Sequence, residues 1–397
     1  MPPMNRPKPR ILFATISAGG SHVSSATAMA EAVRRDYPEV DARVDEIMID
    51  YGFEKQDRQH KNAWKYALRN PWSIVWGQFL VDRFPSTTVY FQRRLLRSFA
   101  KVASQRLTAD QPDLVVSNHA WLTVALTLAQ TAFGLNLPIL SFETSTINAN
   151  GLWADRNAER FIVGSTISKQ RLHRLGISED RVDVVGYPVR RAFLETPAKT
   201  EARNTLGLNN RFTVLVALGG EGVGGKSEKL VEILMKIRPN LQIVVIAGRN
   251  KTLYETLNKK YLGNPNLRVT GFTDDMATYV AASDITIAKT GPATVYEILA
   301  VGRPIIATSR YGGVENVLID FLERKDLGHY APNANSLISI IKSYQTSRET
   351  REAFASRVST LDFDGMSSRV AQYIYHYAVN REVDVSIVGQ GLPLVRN

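Results

Sequence analysis

The sequence predicts an α/β fold made of two similar open-sheet domains. Short β-rich runs alternate with helical patterns through most of the 397 residues, the rhythm of βα units whose parallel strands are covered on both faces. The rhythm runs twice and is broken at Gly186-Tyr187-Pro188, where glycine and proline interrupt both periodicities. At 44% hydrophobic residues, a chain of this length can bury two cores of ordinary size.

In the first half the expected strands are Arg10–Ile16, Asp41–Ile47, Leu114–Ser117, Ile139–Phe142, Arg160–Val163 and Val182–Val185, with helices such as Val23–Asp36 and Ile167–Leu175 between them. Arg6, Lys8 and Arg10 precede an apolar run, as in a signal peptide. That run, Ile11 to Ile16, is shorter than a signal core of about 7–15 residues, so it is assigned to the first strand. The weakly polar stretch Ala120 to Leu140 is interrupted by threonines, Gly134 and Pro138 and does not offer the roughly 20 apolar residues of a membrane span. A second series follows Pro188: Phe212–Ala217, Gln242–Ala247, Leu267–Thr270, Ile285–Ala288 and Pro304–Ala307. The expected division is therefore 1–187 and 188–361, with a last helix at about 362–380 returning to the first domain and a tail from 381 to 397.

One segment departs from the rhythm. His60 to Val102 mixes Trp64, Trp72, Trp76, Phe79, Phe84, Tyr90 and Phe91 with Arg69, Arg83, Arg93, Arg94 and Arg97. Amphipathic rings among long cations suit a membrane interface carrying anionic lipid; they also suit two helices with an aromatic core face and a solvated basic face.

Charge and composition narrow the partners. Lysine and arginine total 49 against 38 acidic residues, a formal charge of +11, which points to nucleic acid, anionic headgroups or phosphorylated substrates. No nucleic-acid motif accompanies the charge. The absence of cysteine excludes disulfides and thiolate sites. The six histidines show no ligand spacing, and Asp274-Asp275 and Asp362-Phe363-Asp364 stand where helices begin, as acidic caps do, so no bound metal or other cofactor is expected. No G-x-S-x-G elbow is present.

Four loops carry candidate chemistry. Ser17-Ala18-Gly19-Gly20-Ser21-His22 joins the first strand to a helix; its small residues admit a ligand to the helix N-terminus, and His22 can take a proton near neutrality. Its spacing fits neither G-x-G-x-x-G nor a P-loop. Five glycines in the seven residues from Gly219 to Gly225, around Glu221 and before Lys226, imply close backbone approach to a phosphate or sugar. Gly248-Arg249-Asn250 ends a strand where open sheets bind ligands. Lys289-Thr290-Gly291-Pro292-Ala293-Thr294 opens a helix whose amides can hold a diphosphate, with Glu297 one turn inside to accept ribose hydroxyls; a plainly well-capped helix reads the same way. His119, at a strand end in the first domain, is a secondary candidate.

In order, these loops resemble those of the family 28 glycosyltransferases of GT-B architecture, particularly monogalactosyldiacylglycerol synthases and processive diacylglycerol glucosyltransferases. The most specific matches are Gly186-Tyr187-Pro188-Val189-Arg190, Gly219-Gly220-Glu221-Gly222, Gly248-Arg249-Asn250, Gly271-Phe272 and Lys289 through Thr294 with Glu297. The resemblance implies two Rossmann-like domains facing a central cleft. It implies UDP-hexose bound by the second domain: Gly248 and Asn250 near uracil, Lys289–Thr294 around the diphosphate, Glu297 on the ribose, and Glu315 of Gly312-Gly313-Val314-Glu315-Asn316 on the sugar. It further implies a diacylglycerol-type acceptor near Ser17, Gly19, Gly20, Ser21 and His119, docking of Trp64, Trp72, Trp76, Arg93 and Arg94 on an anionic membrane, and a peripheral location on the cytoplasmic face of the cell membrane. The sequence departs from the family at Val314, which replaces a glutamine; at Ser17, where galactolipid synthases carry an aspartate; and at Ser145-Thr146 and Asn150, which replace a Thr-Asp and a His before Trp153. His22, with Glu143 behind it, is then the candidate base of an inverting transfer. A UDP-sugar epimerase and a non-catalytic UDP-sugar-binding homologue are the rival readings.

Overall fold

The computed structural model describes residues 8–17, 20–218, 226–237, 241–310, 312–383 and 386–389, with positions 65, 68, 69, 71 and 226 described by backbone alone. The chain forms two compact units. One comprises 1–191, 311–314 and 362–397; the other comprises 192–310 and 315–361.

In the first unit the strands are β1 (Arg10–Ala14), β2 (Asp41–Asp45), β3 (Leu114–Ser117), β4 (Ile139–Phe142), β5 (Arg160–Val163) and β6 (Val182–Val184), all parallel, in the order β2-β1-β3-β4-β5-β6. β3 and β4 are buried along their whole length, because helices cover both faces; that is why they read as mostly apolar runs, broken only by the buried Ser117 and Ser141, rather than alternating ones. The chain leaves β1 toward β2 on one side and β3 adjoins β1 on the other, so the sheet reverses direction between β1 and β3. In open α/β sheets the crevice beyond the strand ends at such a reversal is where ligands bind.

The C-terminal helix, Phe363–Asn380, lies along the helix Gly20–Asp36. Arg35 reaches Asp364 at 2.5 Å and Ser368 Oγ at 2.6 Å, and Tyr37 stacks on Tyr375 with ring centroids 3.9 Å apart. Four helices fill the aromatic segment: Glu54–Arg69, Pro71–Arg83, Pro85–Leu95 and Arg97–Asp110. Pro71 and Pro85 each occupy the first turn of a new helix, where a missing N–H costs nothing.

The second unit repeats the plan with β7 (Thr213–Ala217), β8 (Gln242–Gly248), β9 (Leu267–Gly271), β10 (Ile285–Ala288), β11 (Ile305–Ala307) and β12 (Gly328–Tyr330), in the order β12-β11-β10-β7-β8-β9, again all parallel. Here the reversal falls between β7 and β10, so the loop opening at Lys289 leaves the sheet at its switch point.

Candidate functional site

In the second unit the carboxyl edge gathers the loops after β8, β9, β10 and β11. Lys289 and Thr290 follow β10; Gly291 is the N-cap of the helix Pro292–Ala300, Pro292 is its first residue, and no acidic side chain lies in its first turn. The first amides of that helix, those of Ala293 and Thr294 included, have no partner within it and leave partial positive charge at the strand end. Glu297 is 8% exposed and belongs to the same helix one turn on. Gly312 and Gly313 turn through the left-handed region, at φ +94° and +55°, to begin the helix Gly313–Arg324. Glu315 then lies 2.7 Å from Lys289 Nζ. Burial raises the Glu315 pKa against the pull of Lys289. Its other carboxylate oxygen is buried without a partner among the described residues, an orphan acceptor of the kind a ligand hydroxyl satisfies.

Toward the other edge, Gly248 (φ +59°) and Gly271 are paired across the irregular end of β8 and β9. Asn250 caps the helix Lys251–Lys260 by accepting from the Leu253 amide at 2.9 Å, so its side-chain oxygen serves the fold. Arg249 stacks over Phe272, 5.0 Å from the ring centroid, and Phe272 is 55% exposed, a flat platform suited to a base. Gly219, Gly220 and Glu221, like Gly19, lie outside the described residues.

In the first unit the loops after β1 and β3 meet at the reversal. Gly20 and Ser21 open the helix that carries His22. His22 Nδ1 is 2.8 Å from the Asn118 carbonyl and 3.3 Å from Thr144 Oγ1, so Nδ1 carries the proton and Nε2 keeps its lone pair. Asn118 returns the contact by donating to the His22 carbonyl and to Ser25 Oγ, while its own Oδ1 is buried without a partner among the described residues. His119 accepts from the Trp121 amide at 3.1 Å and caps the helix Ala120–Phe133. Its ring packs 4.5 Å from His22 and 5.2 Å from His60, which in turn covers Trp121 at 4.2 Å. His119 is thus buried and committed to the cap, a wall of the crevice rather than an exposed ligand group. His60 comes from the aromatic segment and carries no sequence signal of this meeting.

The fate of the candidate bases differs. Glu143 is fully buried and accepts from the Ser145 amide at 2.7 Å and Ser168 Oγ at 2.8 Å. Burial raises its pKa. A carboxyl sealed in this way cannot meet an acceptor hydroxyl, and its part is to brace the loop after β4. Thr146 in that loop holds φ +67°, a strained setting for a β-branched residue. Asn150 caps the turn Gly151–Trp153. Burial lowers the His22 pKa to about 4, with the His60 charge adding a smaller push, and those of His119 and His60 fall for the same reason. Ser17 donates through both its amide (3.2 Å) and hydroxyl (2.5 Å) to Glu46, a residue with no local sequence signal that β2 delivers because Ala14 and Asp45 are in register.

This histidine cluster fixes a pH dependence of stability. A histidine whose folded pKa lies below its unfolded value of about 6.5 lets the unfolded chain bind more protons, so stability is complete above about pH 6.5 and declines as pH falls toward 4. For His22 alone the loss over that window is on the order of 2–3 kcal/mol. Urea titrations at pH 7.5, 6, 5 and 4.5 should show it, and a flattened slope is expected in His22→Gln.

Trp72, Trp76, Phe79, Phe91 and Leu95 are more than half exposed on the four-helix segment and Trp64 is less so, which removes the reading of these residues as core. Arg94 is exposed beside them. Arg93 is corrected: its guanidinium turns inward to the fully buried Asp155 at 3.1 Å and to Thr131 Oγ1 at 2.5 Å. Among the described residues, no helix is long and apolar enough to cross a membrane, and no group of three histidine, aspartate or glutamate side chains is placed to hold a metal ion.

Two doubly wound parallel sheets, each with its loops converging at a switch point, define a two-domain α/β protein of GT-B type. Residues 223–315 match the glycosyltransferase family 28 C-terminal domain. A processive diacylglycerol beta-glucosyltransferase of Staphylococcus epidermidis is 26% identical over 253 residues, 64% of this chain and 64% of the relative, so the chain spans less than two thirds of the length of that relative. Among solved structures, HepE of Anabaena in complex with UDP-glucose superposes with a TM-score of 0.53 at 18% identity, covering 92% of this chain and 98% of HepE. A UDP-N-acetylglucosamine 2-epimerase from Listeria monocytogenes superposes with a TM-score of 0.58 at 13% identity, over 93% and 95% of the two chains. Residues 223–315 thus carry the likeness to the family 28 C-terminal domain, and the chain shares the GT-B fold.

Proposed function

We propose that this protein is an inverting hexosyltransferase that moves a hexose from UDP-hexose to the hydroxyl of a diacylglycerol-type lipid, producing a glycolipid at the cytoplasmic face of the cell membrane. The observation that carries the reading is the helix Pro292–Ala300 opening at the switch point of the second sheet, flanked by Lys289 and by the orphan oxygen of Glu315. Its amides and Lys289 stabilise the charge that develops on the departing diphosphate, without calling on a bound metal. Glu297 takes the ribose, the Arg249–Phe272 platform lies under the base, and Glu315 receives a sugar hydroxyl. In the first unit the acceptor lies at the β1–β3 crevice, beside His22.

The test incubates the protein and membrane lipids with a panel of radiolabelled UDP-sugars and follows label into the lipid extract. Label in lipid from a UDP-hexose supports the transferase. Conversion of UDP-N-acetylglucosamine to its epimer without lipid makes the protein an epimerase, and uptake of UDP with neither reaction makes it a binding homologue.

The exposed aromatics are the membrane contact in this reading, with Arg94 and its neighbours facing anionic headgroups. Replacing Trp72 and Trp76 together by serine should lower binding to phosphatidylglycerol-containing vesicles by roughly tenfold or more in co-sedimentation, with UDP affinity unchanged. Unaltered sedimentation would place the membrane contact elsewhere.

A further inference from the structure

We propose that Glu46 is the general base that takes the proton of the acceptor hydroxyl. The inference deepens the transferase reading and rests on it. Glu46 follows β2 immediately, beside the carboxyl end of β1, and so borders the same strand-end crevice as His22. Its side chain is about one-third exposed, open to a substrate where Glu143 is sealed.

The carboxylate is bonded asymmetrically. The Ser17 amide, the Ser17 hydroxyl and the Lys61 ammonium at 3.5 Å all approach Oε2, and no hydrogen bond from a described residue occupies Oε1. Three donors on one oxygen hold the carboxylate in one orientation and leave the other oxygen for an incoming hydroxyl, the arrangement a positioned base requires. Lys61 is also bound to Asp57 at 2.6 Å, so it keeps a partner whatever happens at Glu46.

His22 is ill suited to hold the proton. Burial that brings its pKa to about 4 opposes the imidazolium it would become. It stays a neutral wall of the crevice, and the single hydroxyl proton is left to the carboxylate.

The step balances as a single displacement. The acceptor O–H bond breaks with its proton going to Glu46 Oε1, and the oxygen bonds to the anomeric carbon. The bond from that carbon to the diphosphate oxygen breaks with its electron pair leaving on UDP.

The experiment compares the parent with Glu46→Gln, whose amide oxygen still accepts from Ser17. Turnover of UDP-hexose into lipid is expected to fall ~10²- to 10⁴-fold. UDP affinity by calorimetry and the urea midpoint are expected to stay at parental values. A variant that turns over within threefold of the parent overturns the assignment alone; a parent that transfers no hexose overturns this assignment and the transferase reading together. Should the glutamine variant not fold, Glu46→Asp and Glu46→Asn are equal in size and differ in charge. Greater turnover by the aspartate form supports the base, and equal turnover refutes it.

Discussion

Arg93→Ala is expected to destabilise the first unit by about 3–5 kcal/mol, the cost of stripping a buried carboxylate of its charge partner. Asp155 has no exposed surface, and its acceptors are satisfied by Arg93 Nη1, Thr127 Oγ1 and, from its own loop, the amide and side chain of Asn157 at 3.0 and 2.8 Å. Arg93 alone supplies compensating charge among these groups, and its other nitrogen donates to Thr131. One guanidinium therefore ties the helix Pro85–Leu95 to the helix Ala120–Phe133 and to the loop after β4. Lysine should recover little, because an ammonium cannot hold Asp155 and Thr131 with one planar fork. Arg94, the exposed neighbour, should cost less than about 0.5 kcal/mol when changed to alanine. Urea unfolding of the three variants measures the difference, and an Arg93→Ala protein within 1 kcal/mol of the parent would mean that water or a rearranged side chain meets Asp155 instead.

That pair of adjacent arginines shows where the sequence stops speaking. Both lie in one aromatic and basic helix, and nothing local tells the inward cation from the outward one, because the distinction is made by Asp155, 62 residues away. The strands were legible for a physical reason. β3, β4, β5 and β10 are almost wholly buried and so appear as short, mostly apolar runs, and their observed ends coincide with the expected ones. β12, Gly328-His329-Tyr330, has three residues and no such run, and it escaped. Strand order was not legible at all, since it depends on which parallel neighbours pair. That order is what brings Glu46 to Ser17, and folding of the aromatic segment is what brings His60 to His119. The departures at Thr146 and Asn150 look like losses of chemistry in the sequence. In the structure Thr146 is a strained loop residue and Asn150 is a helix cap.

At the proposed donor site the decisive substitution is Glu297→Ala, expected to weaken UDP binding ~10- to 150-fold. Charge-assisted hydrogen bonds contribute about 1.5–3 kcal/mol each, and 1.4 kcal/mol is a factor of ten in affinity. The helix amides proposed to grip the diphosphate belong to the backbone, so no side-chain change removes them, and the two halves of the site must be separated by the ligand instead. Inorganic pyrophosphate lacks a ribose; its affinity should be the same in parent and variant. A uridine diphosphate lacking the 2′-hydroxyl should bind the parent more weakly, yet lose less than UDP does on mutation, because the group that Glu297 would contact is already gone. Calorimetry with these three ligands on two proteins forms a cycle whose coupling belongs to the carboxylate–ribose contact. Equal losses for all three would instead mean that Glu297, buried in the helix Pro292–Ala300, shapes the diphosphate cradle and touches no ribose.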